Sequence, residues 1–126
     1  MRRSDQRRAA VVALYQADLT DRSAPELLDA HAPDFARELV DGVERDRSEI
    51  DDLIRRHSEG WTLDRIAPLE RNILRVSLHE LLHRDDIPAE VSIDEAVEAA
   101  KELCGADAPG FVNGVLGAVH REKVGA

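Results

Sequence analysis

Two sets of residues in this chain have types and spacing that could do chemistry. The first is His79-Glu80-Leu81-Leu82-His83, which reads H-E-x-x-H. On a helix that spacing sets two imidazoles on one side of a zinc ion, with the glutamate as general base of a metalloprotease. A third ligand is required, and no G-x-x-H follows His83. Glu98 or Glu102 would have to reach the ion from a later helix, and no edge strand offers itself to hold a peptide. The same five residues also arise as ordinary helix in a leucine-rich, charged segment. That second reading is the one adopted, with no catalytic residue, metal or cofactor expected.

The second set is cationic. Arg2, Arg3, Arg7 and Arg8 crowd the first eight residues of a chain whose formal net charge is −9. Arginines at a helix N-terminus oppose its dipole, and local stability gives no reason for them. An anionic ligand would. Arg8 and Tyr15 are seven apart and so share one helix face, which places a cationic strip beside a ring able to stack on a base. The alternative is a solvated terminus next to a packed tyrosine. Overall acidity argues against a nucleic-acid binder, but the distribution of charge outweighs its sum.

These residues need elements to hold them. The stretch Trp61 to His83 carries Ile66, Leu69, Ile73 and Val76 on one face and Leu74, Leu78, Leu81 and Leu82 on another, more than a single apolar stripe. It reads as a central helix with Pro68 in its first turn, ended by Asp85-Asp86-Ile87-Pro88. Before it, Ser4 caps a first helix burying Ala10, Val11, Leu14 and Ala17. Ser23-Ala24-Pro25-Glu26 opens a short second, Asp34 a third burying Phe35, Leu39 and Val43, and Asp46-Arg47-Ser48-Glu49 a fourth stopped at Gly60. His57, closing the apolar stripe of that fourth helix, reads as a packed histidine. After it, Ser92-Ile93-Asp94-Glu95 is a capping box for a helix that ends at Gly105. A last helix follows from Phe111, and its Gly114 and Gly117 suggest close approach of another backbone.

The 126 residues suffice for one domain, 1–126, with a core of its own. Aromatics make up only 3%, so Leu, Ile, Val and Ala must fill that core. Every strong apolar pattern has helical period, and the fold class expected is all-α, a compact bundle of about seven helices. The lone Cys104 reads as a small core residue, and the absence of a membrane-length apolar run points to a reducing cytoplasm.

Several segments together resemble the NusB family of transcription antitermination factors. They are the N-terminal arginines, Ala13-Leu14-Tyr15-Gln16, the Trp61 to Leu82 stretch with R-x-x-L-H-E-L-L, Ile87-Pro88, Ser92 to Lys101, and Phe111-Val112-Asn113-Gly114-Val115-Leu116. The resemblance implies two packed helical sub-bundles and no catalysis. It also implies binding of the boxA element of nascent ribosomal RNA leaders, jointly with the small-subunit ribosomal protein that doubles as NusE, in the transcription elongation complex. By position, the RNA-contacting region falls on Arg3, Arg7, Tyr15, Asp107 and Phe111, with Arg2 and Arg8 beside them. Ser4, Asp5 and Gln6 interrupt the arginine-rich start usual in the family. Asp64 and Glu70 are candidate docking carboxylates for the basic partner, with ordinary solvated surface as the alternative. A homodimer is also open, as is the stand-alone counterpart of a domain found in a ribosomal RNA methyltransferase family.

Overall fold

A computed structural model describes residues 1–125. Among them are seven α-helices and no strand: α1 (Arg3–Leu19), α2 (Ala24–Leu27), α3 (Asp34–Arg45), α4 (Arg47–His57), α5 (Pro68–His83), α6 (Ala89–Leu103) and α7 (Ala108–Gly125). A 3-10 turn, Leu63–Arg65, precedes α5. Helices α1, α2 and α3 pack together on one side of α5, and α4, α6 and α7 gather on the other. Only α2 makes no substantial contact with α5.

The central helix is buried on every side, for each residue from Asn72 to Leu81 is inside. Its apolar members Ile73, Leu74, Val76, Leu78 and Leu81 join one continuous core with Leu14, Leu39, Ile50, Ile54 and Leu116. Its polar members each need a partner, since an unpaired buried charge costs several kcal/mol, on the order of 3–5 when one half of a pair is removed. Arg75 donates to both carboxylate oxygens of Asp51, at 2.9 and 3.1 Å, and to Asp18 at 2.9 Å. Asp18 also accepts from Arg71 and Asn72. Burial pushes its carboxyl up, but those bonds and the two guanidinium charges outweigh burial and hold it below the usual 3.8.

Several expected helix starts fall elsewhere. Helix α5 begins at Pro68, leaving Trp61 outside it and 53% exposed. Arg2, not Ser4, precedes α1, and the Ser4 hydroxyl donates to Glu95 at 2.8 Å. Helix α6 starts at Ala89 behind Pro88, so Ser92 lies inside it and donates to Glu80 rather than capping. Ser23 and Asp46 hold the N-cap positions expected of them but make no side-chain cap bond. The buried Glu80 carboxylate recruited Ser92, because a bond to a buried carboxylate is worth more than an exposed cap, while Asp46 pairs instead with the surface Arg45. The end of α4 follows the sequence more closely, with the chain turning through Glu59 and Gly60, both at positive φ.

The glycines of α7 are a correction. A β-carbon added at Gly114 would meet nothing within 4 Å, and at Gly117 only the Arg121 guanidinium at 3.2 Å. The close approach is at Gly42 in α3, where a β-carbon would run into the His79 ring. Gly42→Ala should therefore lower stability by about 1–3 kcal/mol, the range for overpacking, and cost little in a His79→Ala background. Gly114→Ala, on an open helix face, should raise it by about 1 kcal/mol. Denaturant midpoints of wild type, the three single variants and the Gly42→Ala/His79→Ala double variant check both signs.

Candidate nucleic-acid interface

The H-E-x-x-H residues do not converge. Glu80 is 1% exposed and accepts two bonds from Arg7, at 2.8 and 2.9 Å, and one from Ser92 at 2.8 Å. A carboxylate held by three donors is not free to take a proton from water. His79 packs against Gly42 with its Nδ1 unpartnered. Burial, then the neighbouring His83 and Arg45, hold its pKa below the ordinary 6.5. His83 points elsewhere and meets Glu49 at 2.9 Å and Asp46 at 3.4 Å. Those three offer ligand atoms within 4.8 Å of one another, but His79 is not among them. The possible third ligands are also distant in role, Glu98 pairing with Lys101 and Glu102 with Arg8.

The N-terminal arginines divide by burial. Arg7, expected to meet phosphate, is 8% exposed and bound to Glu80, with Glu95 3.9 Å away. It belongs to the core. Arg8 lies 2.7 Å from Glu102, a contact of charge rather than an aligned hydrogen bond, and Arg2 pairs loosely with Asp5 on the surface. Arg3 is different. Its guanidinium sits 4.2 Å from the centroid of Phe35, with Arg7 and Arg84 at 5.2 and 5.3 Å around the same ring. Cation–π contact orients a guanidinium without neutralising it, so Arg3 stays charged, exposed and aimed. Tyr15 is half-buried on α1.

Asp107 and Phe111, at the start of α7, line a groove of about 350 Å³ with Trp61, Arg65, Ile66, Ala67 and Glu70. Glu70, read in sequence as a docking carboxylate, therefore shares a site with Asp107 and Phe111, while Asp64 stands exposed on the 3-10 turn and does not line the groove. Burial, with added repulsion from Asp107, raises the Glu70 carboxyl above the usual 4.5. Sequence reasoning missed Trp61 and Arg65 because it placed both within the central helix. Phe35, read in sequence as core, is buried there, and its ring also carries the Arg3 guanidinium.

Polar groups tied up in the interior, a free guanidinium on a ring and an open aromatic groove define a helical binding protein. The chain belongs to the NusB family, which it matches over residues 4–121. That family consists of transcription antitermination factors and is not enzymatic. The transcription antitermination protein NusB of Myxococcus xanthus is 44% identical over 123 residues, 87% of this chain and 88% of the relative. Among solved structures, T. maritima NusB superposes with a TM-score of 0.89 at 37% identity, covering 97% of this chain and 92% of that one. A complex of the antitermination factors NusB and NusE with dsRNA gives 0.85 at 30%, covering 95% and 96%.

Two outcomes follow from the buried charges. Arg7→Ala strands Glu80 and should cost about 3–5 kcal/mol, with Glu80→Gln added in the same chain restoring part of it. Thermal melts of the single and double variants decide. For His79 the folded pKa lies below the unfolded one, so its contribution is flat above about pH 6.5. Below that the unfolded chain takes up a proton the folded chain refuses, and stability falls with pH until the folded pKa is passed. His79→Ala should shrink the loss in denaturant midpoint between about pH 7.5 and about pH 5.5.

Proposed function

We infer that this antitermination factor binds the boxA element of nascent ribosomal RNA leader jointly with NusE, within the transcription elongation complex in the cytoplasm. The observation that carries this reading is the likeness, over 95% of the chain, to a NusB that was solved with NusE and dsRNA. The surface chemistry agrees with it. Arg3 supplies an unpaired cation for phosphate, Arg2 and Arg8 add weaker charge beside it, and Tyr15 and Phe111 supply rings. Asp107, exposed beside Phe111, completes the RNA face.

Arg7 acts on this surface only by fixing α1. The acidic excess of the chain suits a basic ribosomal protein, and exposed Asp64 is the carboxylate assigned to that docking face. Among the described residues no helix is long and apolar enough to cross a membrane. The M. xanthus relative is matched over 88% of its own length, which favours an antitermination factor over one segment of a methyltransferase.

The test is a salt titration of binding to a boxA-like RNA, with and without NusE. Arg3→Ala should weaken binding and make the log–log salt slope shallower by about 0.7, the single-strand value for one phosphate contact. Tyr15→Ala should weaken it by ~1–3 kcal/mol with the slope unchanged, since a neutral ring releases no counterion. No measurable RNA binding by the wild-type chain, with NusE present, would remove the proposal.

A further inference from the structure

The groove lined by Trp61, Arg65, Glu70, Asp107 and Phe111 contains two residues that no comparison assigns a role. Trp61 is the only tryptophan of the chain and stands 53% exposed. An indole left in water at a groove edge forgoes the large apolar burial that a tryptophan ordinarily gains. Phe111, half-buried, lines the same groove. The one close ring pair among the described residues is His79 with His83, so Trp61 and Phe111 do not stack on one another. Both line the one groove of about 350 Å³, which has volume enough for a base.

Charge supports the same use. Acidic side chains outnumber basic ones 26 to 17, and most arginines have a carboxylate partner, the exceptions among the described residues being Arg3, Arg37, Arg65 and Arg121. Arg65 has none, and among the described residues it makes no side-chain hydrogen bond. An unpaired guanidinium beside two rings can take a phosphate while the rings take the base. Glu70 and Asp107 line the groove as well. A carboxylate there repels phosphate, but it accepts a hydrogen bond from an exocyclic amino group such as N4 of cytosine.

We propose that Trp61 and Phe111 hold an unpaired nucleobase of single-stranded RNA between them, with Arg65 on its phosphate and Glu70 and Asp107 reading its amino group. This rests on the RNA-binding reading above and extends it to two further residues and a base class. The occupant is single-stranded because a base within a duplex stack cannot enter between two protein rings. Uracil, which lacks an exocyclic amino group, should fit less well than cytosine or adenine.

Trp61 is its own reporter. The full chain with NusE is titrated with short single-stranded RNA and with the same sequence as duplex, following tryptophan emission at a wavelength where NusE contributes none, and binding separately by filter retention. The expected result is a change in Trp61 emission with single-stranded RNA only, and with cytosine- or adenine-containing strands over oligouridine. Trp61→Ala should weaken single-strand binding on the order of 5- to 150-fold at unchanged salt slope, with Trp61→Phe retaining most of it. Arg65→Ala should reduce that slope by about 0.7. Melting curves establish that each variant is folded. RNA retained on the filter with unaltered emission, and with wild-type affinity in Trp61→Ala, would overturn this proposal and leave the RNA-binding function standing. Loss of NusE association in Trp61→Ala with RNA affinity intact would overturn it too, giving the groove to the protein partner. Absence of any RNA binding by wild type would instead overturn the reading beneath it.

Discussion

The charges buried along α5 constrain the whole arrangement. A helix with ten consecutive buried residues has no solvent side on which to put Arg75 and Glu80, so other helices must bring them partners. Helix α1 does so twice, through Arg7 to Glu80 and through Asp18 to Arg71, Asn72 and Arg75. Low numbers on α1 meet high numbers on α5, which fixes the two helices antiparallel. The two clamps lie roughly 16 Å apart along α1, at 1.5 Å per residue. A slide by one turn would strand both carboxylates at once. Helix α4 supplies Asp51 and α6 supplies Ser92 to the same two charges. Hydrophobic burial alone would tolerate several registers, whereas these pairs permit one.

That use of charge has a consequence at the surface. The N-terminus offers four arginines, and the fold draws Arg7 inside and sets Glu102 against Arg8. What remains for a ligand is therefore set by what the interior left over. Phe35 gathers Arg3, Arg7 and Arg84 around one ring, joining α1, α3 and the end of α5. Arg84 is further neutralised by Asp86 and Glu38, so Arg3 is the cation of the three that stays exposed with no carboxylate in direct contact, although its charge also helps hold the Asp86 carboxyl down. A ring beneath a guanidinium limits the rotamers it must give up on binding phosphate, which lowers the cost of ordering it.

Helical class, the central position of α5 and most core residues were legible in the sequence because apolar periodicity reports burial directly. Leu14, Leu39, Ile54, Ile73 and Leu78 show this. Helix starts were less legible. Ser4 and Ser92 looked like caps because a serine before a helix usually bonds its own backbone, and a carboxylate brought from 91 or 12 residues away is invisible to local pattern. For the same reason Arg7 could not be told from Arg3. Both are arginines on one turn, and only the tertiary position of Glu80 separates a core clamp from a surface cation. The glycines of α7 misled in the opposite direction, since a glycine marks close approach only if something approaches. The groove was half legible: Asp107 and Phe111 came from family position, while Trp61 and Arg65 were hidden inside a helix drawn seven residues too long.

The H-E-x-x-H segment shows why spacing alone leaves the chemistry open. At about 100° per residue, His79 and His83 fall near one face, and Glu80 is turned away from His79 by roughly a quarter of the helix circumference. In a metal site the helix is open along that arc, so the glutamate reaches a water on the ion held by both imidazoles. Here the arc is closed by two different neighbours. Helix α3 approaches so nearly that only glycine fits at position 42 against His79, while α1 and α6 cover Glu80 with a guanidinium and a hydroxyl. His83, at the helix end, is left to the surface carboxylates of α4 and its junction with α3. The three polar groups are thus divided among separate packing surfaces, and what decides between a metal ligand and a structural clamp is which helix covers each side. In this chain that is settled by the same Arg7–Glu80 pair that sets the register of α1, so the contact that orients the fold also removes the general base.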